Sequence, residues 1–247
     1  MNFKDCIDSY PFILMEGALG ERLKREFDLD ISGTVAMADL IYQQKGRMAL
    51  KTLWNEYMDI AHRYQLPFLA ITPTRRANKE RVYMAGYNES IITDNVDFLR
   101  TIKETVNVNM YIGGLMGCKG DAYTSERALN QEEAIAFHSW QASLFKSVGV
   151  DFLYAGIMPV LSEAIGMAVA MSDTDIPYII SFTIQRNGKL IDGHTINDAI
   201  YYINNHVSNK PVCYMTNCVH PDIVYEALSH KSVSYTHLRA HETEADL

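Results

Sequence analysis

The chain has 247 residues, 48% of them hydrophobic and 21% charged, so it can bury a substantial core in one large domain or two small ones. Its net charge of −8 repels phosphate backbones and its basic residues are scattered, which argues against nucleic-acid binding. It has no apolar run of the roughly 18 residues that a membrane span needs, and its four cysteines form no secreted disulfide framework. We therefore expect a cytoplasmic protein without membrane contact.

Short apolar runs alternate with amphipathic helical patterns along the chain. The first run, at 12–15, precedes a glycine-rich bend over 16–20, and a helix is predicted from Arg47 to Tyr64. Asn130 with Glu133 resembles a capping box. Further strands are predicted at 67–71, 109–112, 151–155, 177–182 and 211–216, with helices capped at Thr93/Asp94, Asn130 and Thr195 and others at 161–171 and 221–228.

The predicted strands are nearly continuous apolar runs, which is typical of a parallel sheet buried on both faces. Six βα units fit either a doubly wound sheet or most of an eight-stranded TIM barrel. No Gly-x-Gly-x-x-Gly follows the first strand, which weakens the dinucleotide-binding version. The bends after the strands are rich in Gly, Thr, Asn and Cys, as at the catalytic face of a barrel. The sequence therefore predicts an α/β fold, a (β/α)8 barrel that is incomplete here.

The repeating pattern stops after Leu228. The residues beyond it are polar, and another βαβ unit needs roughly 30 residues. The string from Val233 to Thr243 also resembles a translated sequencing adapter. We therefore predict one partial barrel over residues 1–231 and a non-native, unstructured tail over 232–247. Either the sheet closes differently from a complete barrel or the chain is cut short.

Three of the predicted strand ends carry groups with possible chemistry. Glu16 beside Gly17 could hold a substrate ammonium, or it could be a solvated turn residue. Thr72, with the arginines at 75–76, could bind a carboxylate, or the segment could be a polar surface loop. The glycines and cysteine at 113–118 allow close backbone approach, but their residue types are unspecific.

Asn217 and Cys218 form a fourth cluster, at the end of the last predicted strand. Pro221 then fits the first turn of a helix. The positive end of a helix favours a thiolate, so Cys218 could be a nucleophile or a zinc ligand. The alternative is a small buried hydrophobe.

Together these motifs resemble the homocysteine S-methyltransferase family, whose members are zinc-dependent barrels that methylate homocysteine to methionine. The resemblance runs from about Phe12 to Leu228. The family-like points are Glu16–Gly20 for the first-strand Asp-Gly-Ala-x-Gly, Ile71–Thr74 for Thr-Asn-Thr, Ser181–Thr183 with Asp192 and Gly193 for the fifth-strand region, and Asn217–Cys218 with Pro221 for the sixth-strand Asn-Cys motif.

The resemblance implies that Cys218 is a catalytic residue and the first of three zinc thiolates. Zinc would hold the substrate thiol as a thiolate that attacks an activated methyl group. The implied substrate-binding residues are Glu16, Gly17, Thr72 and Asn217. The implied partners are a small-molecule thiol and a methyl donor, which would be a sulfonium, a betaine or a folate carrier.

The chain also departs from the family pattern. The other two zinc cysteines of the family form an adjacent pair near the eighth strand, beyond the point where the pattern stops, so we expect impaired activity and weak zinc retention. Cys118, His194 and His220 lie near predicted strand ends, but their spacing is no ligand signature. Gly156 stands where the family usually carries a glutamate, and Pro73 replaces an asparagine, so another thiol is a possible acceptor.

Two other classes of protein remain as alternatives. A barrel lyase would need a strand-end lysine for Schiff-base chemistry, and no predicted strand carries one. A non-catalytic barrel that binds an amino acid or a partner would explain the missing ligands.

Overall fold

The structure is a computed structural model that describes residues 1–229 and the backbone of residues 238–241. Within these ranges helices and parallel strands alternate. The strands are β1 (Leu14–Met15), β2 (Phe68–Ile71), β3 (Met110–Met116), β4 (Phe152–Met158), β5 (Tyr178–Phe182), β6 (Cys213–Asn217) and β7 (Leu238–His241). The helices are α1 (Phe3–Ser9), α2 (Leu19–Phe27), α3 (Gln44–Tyr64), α4 (Lys79–Met84), α5 (Ser90–Lys103), α6 (Gln131–Val148), α7 (Leu161–Ser172), α8 (Ile196–His206) and α9 (Pro221–Ser229), with a 3-10 turn at Leu40–Tyr42.

The chain divides into two compact units. The first unit contains residues 1–115 and 143–152, and the second contains residues 116–142 together with the chain from Leu153 onward. The strands β1 and β2 and most of β3 therefore belong to the first unit, and β4 to β7 belong almost entirely to the second.

In the first unit β1 pairs in parallel with β2, and β2 pairs in parallel with β3. The register places Phe68 opposite Leu14 on one side and Met110 on the other. All seven residues of β3 are buried, as expected for a strand covered on both faces. Trp54 of α3 is among the largest fully buried side chains of this unit.

Two glycines of β3 are required by this packing. A Cβ atom built on Gly114 would lie 2.6 Å from the ring of Phe145, and one built on Gly113 would overlap the ring of Phe152. The glycines at 113 and 114 therefore allow the backbone of β3 to pack directly against aromatic rings of the core, which is the close approach that the sequence predicts.

In the second unit β4, β5, β6 and β7 form successive parallel pairs. The β4–β5 register shifts between Ala155 and Met158, near the carboxyl end of β4. The helix α7 is buried along most of its length because its apolar residues continue around the whole helix.

Two of the three predicted helix caps are confirmed and the third is wrong. The Asn130–Glu133 capping box is confirmed, since the N–H of Glu133 donates to Asn130 Oδ1 at 3.0 Å and the N–H of Asn130 donates back to the Glu133 carboxylate. Thr195 also caps α8 as predicted, in a reciprocal arrangement with Asp198. The Thr93/Asp94 cap is wrong, because α5 already begins at Ser90, whose N–H donates to the side chain of Asn88.

Two further segments differ from the expectation. The bend predicted over 16–20 ends early, because α2 starts at Leu19. The sequence predicts an unstructured segment over 232–247, whereas Leu238–His241 forms β7 and pairs with β6, satisfying hydrogen-bonding groups along that edge. Residues 230–237 and 242–247 lie outside the described residues, and the non-native origin of this segment stays a prediction.

No helix within the described ranges combines the length and the apolar character that crossing a membrane requires.

Candidate active site

Glu16 follows β1 directly and its side chain is only 5% exposed. Its carboxyl oxygen Oε1 accepts a 2.8 Å hydrogen bond from the N–H of Ile71, the last residue of β2. Burial raises the pKa of Glu16 to about 8, and the N–H of Ile71 offsets only part of that shift. The alternative of a solvated turn residue is therefore wrong: Glu16 is a buried carboxyl that holds a proton at neutral pH.

The residues after Glu16 are held by α3. The Tyr57 hydroxyl donates a 2.5 Å hydrogen bond to the carbonyl oxygen of Gly17. The guanidinium of Arg22 lies 5.3 Å from the centre of the Tyr57 ring and also pairs with Glu26 and Glu56. The backbone beside Glu16 is thus held by the hydroxyl of Tyr57. In the sequence, Tyr57 is recognisable only as a residue on one face of a helix.

Thr72 lies just beyond β2 and is fully buried. Its oxygen Oγ1 accepts from the N–H of Leu115 at 3.1 Å and lies 2.7 Å from Thr74 Oγ1. Because Thr74 donates its own hydrogen to the Leu115 carbonyl at 2.8 Å, Thr72 is the donor in the contact between the two hydroxyls. Both hydroxyls therefore join the end of β2 to β3, and a direct role of Thr72 with substrate stays a prediction.

The arginines that follow in the sequence, Arg75 and Arg76, are exposed. Their exposure is compatible with either the carboxylate-binding hypothesis or the surface-loop alternative.

Asn217 ends β6 and is held by two hydroxyl groups. Its Oδ1 accepts from the hydroxyl of Tyr154 at 2.8 Å and from the hydroxyl of Ser181. Tyr154 comes from β4 and Ser181 from β5, so three adjacent strands of the second unit orient one amide. The sequence motif includes Ser181 and Asn217, but no spacing signal identifies Tyr154.

Cys218 follows β6 at the turn that leads to α9. It is half-buried, and its backbone has a φ of 56°, in the left-handed region. The hydroxyl of Tyr123 donates to its sulfur atom at 3.2 Å. Tyr123 lies between β3 and α6, 95 residues away in the chain, and sequence reasoning does not single it out.

The three other strand-end side chains considered as ligands, Cys118, His194 and His220, have local contacts. Cys118 donates from its sulfur to the Gly120 carbonyl at 3.6 Å. His194 Nδ1 lies 3.0 Å from one carboxylate oxygen of Asp192. The other carboxylate oxygen of Asp192 accepts from the N–H of Leu161, the first residue of α7. His220 Nδ1 accepts from the N–H of Asp222 in the first turn of α9. Within residues 1–229, no three or more His, Cys, Asp or Glu side chains are grouped so that they could hold a metal ion.

Glu163, in the first turn of α7, is a fully buried acid that sequence reasoning misses. Its carboxylate accepts from the N–H of Lys119 at 2.7 Å, the N–H of Leu129 at 3.3 Å and Nε2 of His138 at 3.1 Å. In the sequence it looks like an ordinary acid at a helix N-terminus, and only the fold brings its three donors together.

Comparison with known families identifies the class of protein to which the chain belongs. The sequence model of the family described as Homocysteine S-methyltransferase matches residues 13–244. The chain therefore belongs to the homocysteine S-methyltransferase family.

Solved structures of the homocysteine methyltransferase MmuM from Escherichia coli share the fold. The metallated form has 18% sequence identity and a TM-score of 0.78, over 96% of this chain and 85% of that one. The oxidized form has 19% sequence identity and a TM-score of 0.75, over 91% of this chain and 79% of that one. The apo form has 18% sequence identity and a TM-score of 0.70, over 97% of this chain and 84% of that one. The predicted α/β barrel fold is thereby confirmed. A search of curated protein sequences finds no match.

Proposed function

We propose that this chain methylates the thiol of homocysteine, or of a closely related amino-acid thiol, and that the product from homocysteine is methionine. Family membership supports an enzyme of this class. The observation that carries the proposal is the thiol of Cys218 at the carboxyl end of β6, beside an Asn217 amide that Tyr154 and Ser181 hold in place. Reactive groups of barrel enzymes lie at the carboxyl ends of the strands.

Glu16 is the group that we assign to the substrate ammonium. A buried carboxyl with a pKa near 8 is mostly protonated at pH 7, and a neighbouring cation favours its ionised form. Binding of the ammonium would therefore displace the proton from Glu16 and leave a buried ion pair. We assign Gly17 and Thr72 to the same substrate site, where Tyr57 and Thr74 fix their positions.

The reaction forms a bond between the acceptor sulfur and the methyl carbon and breaks the bond between that carbon and the donor heteroatom. The electron pair of the broken bond stays with the donor, and the proton of the acceptor thiol passes to solvent. Such a displacement depends on alignment of sulfur, carbon and leaving group, which a rigidly held site provides. The donor would be a sulfonium, a betaine or a folate carrier.

Zinc is the cofactor that the family resemblance implies, and its chemistry would be to keep the acceptor sulfur ionised near neutral pH. We assign Cys218 as one zinc ligand. A catalytic zinc takes three protein ligands, and the described part of the chain groups no three suitable side chains around this thiol. The described residues therefore do not fit a complete zinc site.

The acceptor need not be homocysteine itself. Gly156 has no side chain to contact an amino acid, and the next glutamate along this stretch, Glu163, accepts three hydrogen bonds within the protein. We therefore include related thiols as acceptors.

The test is methyl transfer from isotopically labelled donors of the three classes to homocysteine, followed by mass spectrometry of the thioether. We expect slow formation of a labelled product with one donor class, because the described residues do not complete a zinc site, and loss of that turnover in Cys218→Ser. Cys213→Ser is the matched control, because Cys213 is a buried cysteine of β6, the strand that Cys218 follows. Homocysteine binding without turnover in the wild-type protein, with Cys218→Ser binding equally well, would instead support the non-catalytic binding barrel.

A further inference from the structure

The segment of residues 117–130, which we call the β3–α6 loop, is long for its position. Loops of this kind usually have about two to six residues. The loop is nevertheless folded on itself: the Asp121 carboxylate accepts from the N–H groups of Tyr123 at 2.7 Å and Thr124 at 3.1 Å. A side chain at Gly120 would overlap the carbonyl of Glu126. The loop is therefore a compact element whose position depends on how its ends are attached.

Both ends of the β3–α6 loop are attached to one carboxylate. Near its start, the N–H of Lys119 donates to Glu163 Oε1 at 2.7 Å. Near its end, the N–H of Leu129 donates to Glu163 Oε2 at 3.3 Å. An ionised carboxylate only accepts hydrogen bonds and offers about four acceptor positions, so one side chain can close the loop.

His138 of α6 completes this attachment. Its Nε2 lies 3.1 Å from Glu163 Oε1, and both side chains are buried. Because the carboxylate only accepts, Nε2 carries the hydrogen and donates it. Removing one member of a buried set of this kind leaves the remaining polar groups unpaired, which costs more than the hydrogen bond itself contributes.

The far side of the β3–α6 loop carries Tyr123, whose hydroxyl donates to the sulfur of Cys218 at 3.2 Å. Tyr123 is 56% exposed, so burial of its ring does not hold it there. The contact depends on the position of the loop, which Glu163 attaches near both ends and the Ser162 hydroxyl attaches near one, where it donates to the Leu129 carbonyl at 2.9 Å.

We propose that Glu163, supported by His138, is a positioning residue that keeps the phenol of Tyr123 on the sulfur of Cys218 and so controls access to this thiol. The inference rests on the proposed function in one respect, since that function makes Cys218 the catalytic thiol. Glu163 acts through the loop and touches no reacting atom.

The test is the rate at which iodoacetamide alkylates Cys218, followed by peptide mass spectrometry in the full chain. Tyr123→Ala removes the cover, and Glu163→Gln removes one acceptor and releases the loop. We expect each variant to react roughly fivefold faster, the factor that matches the net contribution of one ordinary hydrogen bond. Because both changes act on one contact, the double variant should react no faster than the faster single variant.

Cys213 is the internal control, since it is 2% exposed and lies on β6 close to Cys218 in the chain. Its slow alkylation should be unchanged in every variant. An unchanged Cys218 rate in Glu163→Gln, or single-variant factors that multiply in the double variant, would overturn the proposal.

If Cys213 becomes reactive in Glu163→Gln, that variant has unfolded and His138 decides the question. The side-chain amide of His138→Gln can replace Nε2 as a donor, whereas His138→Leu has no donor. We expect fast Cys218 alkylation in the leucine variant and a near-normal rate in the glutamine variant, and equal rates would overturn the proposal. The assay needs no turnover, so failure of methyl transfer and failure of this proposal are separate results.

Discussion

The backbone N–H of Ile71 donates a 2.8 Å hydrogen bond to the buried carboxyl of Glu16, joining the end of β2 to the end of β1. A neutral acid in this position needs no counter-ion, whereas its ionised form lacks a compensating charge until a cation arrives. The protonation of Glu16 therefore connects the stability of the first unit with the binding that we propose for it.

Stability should fall as the pH rises through the range in which Glu16 ionises. The pKa of Glu16 is about 8 in the folded protein, whereas a glutamate exposed to solvent has an ordinary pKa of 4.5, so the folded state binds the extra proton between these limits. The contribution is fully present below pH 4.5 and is lost as the pH rises through 8, with a slope of at most about 1.4 kcal/mol per pH unit. Urea unfolding from pH 5 to pH 8 measures this slope.

Glu16→Gln is the control for that measurement, because its amide oxygen can still accept from Ile71 but does not titrate. The stability difference between the variant and the wild type should grow in favour of the variant across this range. Parallel stability curves would show that Glu16 ionises at its ordinary pKa.

Ligand binding should release a proton. At pH 7 a carboxyl with a pKa near 8 is mostly protonated, and pairing with an ammonium ionises it. Titration calorimetry with homocysteine in two buffers of different ionisation enthalpy should report release of about 0.9 proton per ligand bound. Glu16→Gln should bind more weakly and release none, and an equal release in both proteins would remove Glu16 from the ammonium site.

Gly113→Ala should be strongly destabilising, although alanine suits a strand better than glycine does. The new methyl group would overlap the ring of Phe152 inside the first unit, and such overpacking costs about 1–3 kcal/mol. Gly33→Ala is the matched control, since no atom lies within 4 Å of its added methyl group. Thermal unfolding of the two variants should separate them clearly, and similar melting temperatures would contradict the packing argument.

The chain should retain zinc poorly. Cys218 is the one zinc ligand that we propose, and the described residues place no further pair of suitable side chains beside it. Elemental analysis after dialysis against zinc should give well below one equivalent, and Cys218→Ser should lower it further. One full equivalent that survives Cys218→Ser would show that the metal binds elsewhere.

The predicted strand positions agree well with the structure. Strands β2 to β6 each begin one or two residues after the start of the predicted apolar run, because burial on both faces leaves an unbroken run in the sequence. Helix caps such as Asn130 and Thr195 were predictable because their signal is local. The short helices α1 and α4 lack such periodic patterns and are not predicted.

The candidate site was only partly predictable. Glu16, Asn217 and Cys218 are recognisable because each directly follows an apolar run or ends it. Their partners are not: Tyr123 and Tyr154 reach the end of β6 from 95 and 63 residues away, and no sequence period relates them. Thr72 was predictable as a strand-end hydroxyl, but its hydrogen bonds to Thr74 and Leu115 depend on the pairing of β2 with β3.

The left-handed backbone at Cys218 has one more consequence. A φ of 56° is unfavourable for a residue with a Cβ atom and is freely available to glycine, so Cys218→Gly should relieve local strain while removing the thiol. If stability alone governed this position, glycine would be the better residue. The thiol that we propose as reactive therefore occupies a backbone position that costs local stability, and a related protein with glycine at this position would lack that thiol.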